Sequence, residues 1–174
     1  MLEELVGKIG DEFDTARSGQ FVSLGEALTP DRIVFGVRGA NLSEAIAQML
    51  DSVPQTDLPG NNRAVAAAVL EREAAMATYL GKGLAIPHCR LDSLEKPVLI
   101  FGRSDGGIPQ EKSNERIELI FLLLTPSRMA RIQPRLLADI VGLIESEYLT
   151  ERLKKATEPE DVIEAIRDGQ QVVL

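Results

Sequence analysis

The chain holds one histidine and one cysteine, and they are adjacent: His88 and Cys89, at the end of the stretch GKGLAIPHCR over residues 81–90. A neutral imidazole can act as a base, a metal ligand or a nucleophile. A hydrolytic triad would need an activated serine or cysteine within reach. Cys89 is next in sequence, but consecutive side chains of an extended chain diverge to opposite faces, and no GxSxG elbow occurs. Metal binding calls for more histidines or clustered carboxylates, and no such motif is present. Nucleophilic attack on a phosphoryl group remains, and it needs a cation on the phosphate. Arginine suits that task through its planar fork of donors, and Arg72 stands near the end of a helix-forming segment upstream. Residue types alone leave a plainer reading open: a satisfied core or surface histidine, a small buried cysteine and a solvated arginine.

These side chains need elements to hold them. Pro87 disfavours the helical region for Ile86 and cannot donate to a sheet ladder, so the approach to His88 is extended and pairing should falter there. The sequence predicts a short buried strand over residues 84–86, with the imidazole emerging at its end. Gly81 and Gly83 permit a tight turn just before it. Upstream, residues 62–77 (NRAVAAAVLEREAAMA) read as a strong helix former, with Val65, Val69 and Met76 facing inward. Strands are expected over residues 33–37, 97–101 and 117–124, the last apolar enough to be central and covered on both faces. The polar stretch 105–115 between the last two reads as a loop. Asn41 and Glu44 suggest a capping box, as do Thr157 and Glu160. Pro134 fits the first turn of a helix carrying Leu136, Ile140 and Leu143. Helices are also expected over residues 148–156 and 158–168, the last stopped by Gly169. The class is α/β, a mixed sheet with helices on both faces.

The composition fits that class. A chain of 174 residues, 44% hydrophobic and 26% charged, is ample for one core. Its net charge of −8 and its lack of basic clusters speak against nucleic acid or an anionic membrane as partner. The longest apolar run, residues 119–124, is far short of a membrane span, and the N-terminus lacks signal-peptide features. One cysteine suits a reducing cytoplasm and cannot complete a structural zinc site. Residues 1–25 read as an appendage, with an amphipathic helix over residues 2–14 from the spacing of Leu2, Leu5, Val6, Ile9 and Phe13. The main domain then spans residues 26–174.

Three segments taken together, LEREAAMATYLGKGLAIPHCR, KPVLIFGR and ELIFLLLTP, resemble the fructose/mannitol and nitrogen-regulatory type (type 2) of enzyme IIA domain. That domain belongs to the bacterial phosphoenolpyruvate-dependent phosphotransferase system. The matching pattern is Arg72, Thr78, Gly81, Gly83, Ala85–Ile86 and Pro87–His88, and the resemblance covers about residues 28–170. It implies that His88 accepts a phosphoryl group from the histidine phosphocarrier protein. The group would pass to an enzyme IIB or serve as a regulatory signal. Arg72 would hold the phosphate, with Thr78, Gly81, Gly83 and Gln133 as supporting positions and no metal or organic cofactor. Many sugar-transporting members carry a second histidine where this chain has Gln133, and an aspartate–tryptophan element that residues 106–115 lack. With Gln133 followed by RLLADIVGLI, the chain looks more like enzyme IIA-like domains attached to transporters. A regulatory or interaction domain controlling a membrane transporter is therefore the alternative.

Overall fold

The computed structural model describes residues 22–110 and 113–172; the helix expected over residues 2–14 lies outside them. The described residues form six strands and six α-helices. They are α1 (Leu24–Ala27), β1 (Ile33–Phe35), α2 (Leu42–Asp51), α3 (Asn62–Ala75), β2 (Tyr79–Gly81), β3 (Leu84–Ala85), β4 (His88–Leu91), β5 (Val98–Pro109), β6 (Arg116–Pro126), α4 (Ile132–Ile144), α5 (Glu147–Lys155) and α6 (Pro159–Val172).

The sheet runs β1-β5-β6-β3-β2, with β4 also paired to β6 beyond the end of β3. It is mixed: β1–β5, β3–β6 and β4–β6 are parallel, while β5–β6 and β2–β3 are antiparallel. Strand β6 is central, as its continuous apolar run demands. Leu119, Phe121 and Leu123 point into one core with α1, α4, α5 and α6. Ile120, Leu122 and Leu124 point into the other, with α2 and α3. Each fully buried side chain of this size contributes about 1.5–3 kcal/mol. Phe101 and Phe121, opposite one another in register, meet edge to face with ring centroids 5.4 Å apart, the arrangement favoured by the ring quadrupoles. Helices thus cover both faces, as the sequence predicts.

Local expectations fare unevenly. The Asn41 side chain accepts from the Glu44 amide at 2.9 Å, and the Glu44 carboxylate accepts from the Ala40 amide at 2.8 Å, so the box closes around the start of α2. Strand β1 is shorter than expected because Gly36 takes φ +72°, and Val34 is its buried residue, with Ile33 and Phe35 partly covered on the other face. Strand β5 continues through the polar residues read as a loop. Its ladder to β6 breaks after Arg103 and resumes at Ile108, opposite Ile117. Ile108 is fully buried, so the polar character of Asp105 and Gly106 belongs to an exposed bulge and not to a loop.

Two further expectations are corrected in α6. The acceptor at its start is Asp161, not Glu160: its carboxylate takes the amides of Thr157 and Glu158, each at 3.0 Å. Those charge-assisted contacts hold the Asp161 carboxyl below its usual range. Gly169 lies inside the helix instead of ending it. A Cβ there would sit 2.0 Å from Leu143 Cδ2 and 2.8 Å from Leu149 Cδ1, so glycine is present for close packing of α6 on α4 and α5.

Candidate functional site

Helix α3 carries Arg72 in its last turn. Val65, Val69 and Arg72 fall on one helical stripe; the two valines pack under the sheet, and Arg72 is the next position, past the edge of β4. Arg72 is exposed, and its side chain makes no hydrogen bond or ion pair among the described residues. The stripe does not extend to Met76. The helix stops at Ala75, Met76 is extended (φ −155°, ψ 111°), and its side chain is 64% exposed instead of inward-facing.

Pairing is interrupted at Pro87 as expected, but the imidazole lies on the far side of the break. Strand β3 ends at Ala85, and His88 opens β4, paired with Leu123. Its side chain is 8% exposed. Nδ1 lies 2.8 Å from the Ile86 carbonyl oxygen. A carbonyl only accepts, so Nδ1 carries the proton and Nε2 the lone pair. Nε2 has no partner among the described residues and is not among their enclosed, unsatisfied polar atoms; it keeps contact with solvent. Cys89 points the other way, into the α2–α3 core, where burial pushes its thiol up to about 11. It is a neutral packing residue at ordinary pH.

Thr78 is buried and does not face the cleft as a phosphate donor. Its amide donates to the Glu73 carboxylate at 2.8 Å, and its hydroxyl donates to the same group. Its carbonyl accepts the Ile86 amide at 3.1 Å. A chain of contacts therefore runs from Glu73, beside Arg72, through Thr78 and Ile86 to the His88 ring. Sequence reasoning missed Glu73, which reads as an ordinary solvated helix residue.

Gly81 and Gly83 shape a turn away from the imidazole. With Lys82 they form three consecutive residues at positive φ, +83°, +56° and +78°. Gly83 donates its amide to Tyr79 Oη at 3.2 Å and accepts from the Glu118 and Leu119 amides. Leu84 pairs with Leu119, whereas His88 pairs with Leu123. At roughly 3.3 Å per residue that separates the turn from the imidazole by about 13 Å.

A cleft of about 600 Å³ opens at the edge of β4, lined by Ala68, Glu71 and Arg72, with Ala75, Cys89, Arg90 and Gln133 completing it. It begins one residue along β4 from His88 and joins α3 from one face of the sheet to the start of α4 from the other. Gln133 is 7% exposed, and its Oε1 accepts from Arg90 Nε at 2.8 Å. Arg90 also donates to the Ala130 carbonyl at 3.3 Å. Alternation along an extended strand would have placed Arg90 on the same face as His88, but nothing in the sequence links it to Gln133. Among the described residues no three His, Cys, Asp or Glu side chains gather where they could hold a metal ion, and no helix is long and apolar enough to cross a membrane.

A mixed sheet wrapped by helices on both faces, with its histidine at a broken edge strand, is the architecture of type-2 enzyme IIA domains. The family description "Phosphoenolpyruvate-dependent sugar phosphotransferase system, EIIA 2" matches residues 26–169, and the chain belongs to that family. It is similar to the nitrogen regulatory protein of Pseudomonas aeruginosa, 25% identical over 150 residues covering 86% of this chain and 97% of that one. In fold it is similar to the nitrogen regulatory protein IIA-Ntr of Neisseria meningitidis, with a TM-score of 0.75 at 22% identity over 82% of this chain and 98% of that one. It is also similar to Escherichia coli mannitol enzyme IIA, solved in complex with phosphorylated enzyme IIB, with a TM-score of 0.64 at 21% identity over 81% and 97% of the two chains.

Proposed function

We propose that His88 accepts a phosphoryl group on Nε2 and that Arg72 neutralises it in the adjoining cleft. The observation that carries this reading is the Nδ1–H contact to the Ile86 carbonyl, which leaves Nε2 as the nucleophile. In the step, the Nε2 lone pair forms the bond to phosphorus. The phosphorus–nitrogen bond of the donor phosphohistidine breaks, and its electron pair returns to the donor ring. The proton stays on His88 Nδ1, donated to the Ile86 carbonyl, so no base is required. Positioning and charge neutralisation are what remain for the protein to supply.

The donor in this reading is the histidine phosphocarrier protein, and the domain over residues 26–174 acts as a cytoplasmic carrier behind a separate N-terminal segment, residues 1–25. The recipient is an enzyme IIB, a reading supported by the mannitol relative's complex with phosphorylated enzyme IIB. A regulatory role, with the phosphoryl state of His88 as a signal to a transporter or other target, is supported by the nitrogen regulatory relatives and by Gln133, which cannot be protonated to assist transfer.

Incubation with phosphoenolpyruvate, enzyme I and the phosphocarrier from the source organism tests the reading. Acid-labile, base-stable label on His88 is expected, and an unlabelled chain would overturn it. Onward transfer to an enzyme IIB separates relay from signal.

A further inference from the structure

Arg72 has been given the phosphate, yet the cleft holds a second guanidinium, Arg90, to which the reading above gives no part, bonded to the Gln133 amide. Guanidinium carries five N–H donors. In Arg90, one goes to Gln133 Oε1 and one to the Ala130 carbonyl, leaving three. Because Arg90 can only donate, its contact fixes which end of the Gln133 amide faces it. Oε1 is turned to the guanidinium, and Nε2 is left as the donor. Gln133 is more than nine-tenths buried, lines the cleft, and its Nε2 has no partner among the described residues. That Nε2 is not among the enclosed, unsatisfied polar atoms of the described residues, so the donor is open to the cleft and free to meet a ligand there.

Two further features favour an anion. Gln133 stands in the first turn of α4, a helix of 13 residues whose N-cap, Arg131, makes no side-chain capping bond. Its first amides and positive dipole end are therefore unopposed by a capping acceptor. Arg72 lines the same cleft from the other face of the sheet. The opposing charge in the lining is Glu71, exposed on α3.

We propose that Arg90 and Gln133 form a second phosphate-binding arm of the cleft, in which Arg90 supplies a cation and holds the Gln133 amide with its NH2 toward the phosphoryl oxygens. The arm rests on the reading of His88 as acceptor and adds to it. Gln133 then contributes as an oriented donor, and the charge that a titrating side chain would bring comes from Arg90. The pair acts as a unit, so losing either partner removes the function of both.

The test uses inorganic phosphate as probe, titrated into the full chain while the Arg90 Nε–H and Gln133 side-chain amide resonances are followed by 15N NMR. Both should shift together in the wild type. Arg90→Gln and Gln133→Leu should weaken phosphate binding at least fivefold. Gln133→Glu keeps an acceptor for Arg90 but replaces the donor by a negative charge. It should lose phosphate binding while its melting temperature holds, an outcome that a purely structural pair would not give. The same variants should slow labelling of His88 by the phosphocarrier by tenfold or more. Label on His88 with unchanged phosphate affinity and labelling rate in all three variants overturns the arm alone. Absence of label in the wild type overturns the acceptor reading, and this use of the arm with it.

Discussion

Nδ1 of His88 lies 2.8 Å from the carbonyl oxygen of Ile86, two residues back along the same chain. The tautomer is thus set by backbone, with no carboxylate among the described residues orienting the ring. The backbone that sets it is itself held, since Ile86 donates its amide to the Thr78 carbonyl.

Replacing the ring by an amide separates its two roles. His88→Asn can keep a donor near the Nδ1 position but has no nucleophile. It should fold with a melting temperature within a few degrees of wild type and take no label from the phosphocarrier. Residual label at another position would remove His88 from the chemistry.

Arg72 has no competing partner among the described residues, so its full fork is available to a phosphate. Arg72→Lys keeps the charge as a point and loses the two-pronged contact. Phosphoryl acceptance measured by rapid quench should fall about tenfold, with little change in stability because the side chain is exposed. Equal rates would show that Arg72 is a bystander.

Glu73 is placed to act through others. Glu73→Ala removes both acceptors of Thr78, which is buried, and should cost about 1–3 kcal/mol in denaturant unfolding. Because Thr78 holds Ile86, the His88 ring should lose order as well. The expected readout is a slower labelling rate together with faster exchange of the His88 Nδ1 proton. A stability loss with unchanged labelling would limit Glu73 to the fold.

Burial raises the Cys89 thiol from 9.0 to about 11. A group with a raised folded pKa contributes stability that is complete below its unfolded value and lost as pH rises through the folded one. Between pH 9.0 and about 11 the unfolded chain releases this proton and the folded chain keeps it. Stability should drop by about 2–3 kcal/mol over that window. Cys89→Ala should flatten this part of the pH profile without altering labelling at neutral pH. An identical alkaline loss in the variant would assign it elsewhere.

Gly169→Ala adds a methyl where Leu143 and Leu149 already sit. Overpacking costs about 1–3 kcal/mol, against roughly 1 kcal/mol gained in helix propensity. A net loss of about 1 kcal/mol is expected by thermal unfolding, and a stabilised variant would show that α6 can shift away from α4.

Much of the scaffold is legible in the sequence because its signals are local. The apolar run of β6, the cap at Asn41 and the pairing break at Pro87 each depend on a few neighbouring residues. His88 and Arg72 are legible through the family pattern. The rest depends on which elements meet. Ile108 belongs to β5 only because it finds Ile117 across the bulge. Gly169 resembles a helix stop until Leu143 is seen against it. Arg90 and Gln133 are joined by the meeting of an edge strand and a helix start that are distant in sequence, and no spacing rule connects them. Thr78 and the two glycines sit in the matching pattern but serve the backbone: one holds Ile86, the others turn the chain.

Among the described residues strand β4 has β6 as its sole strand neighbour, while β6 is flanked on both sides and buried from Leu119 through Thr125. The imidazole therefore rides on a segment held by the sheet from one side and is indexed against a strand held from both. Local opening draws on the least-anchored elements first. The reactive segment can give way to a docking partner at a fraction of the cost of unfolding, and closing returns His88 to the same register on Leu123.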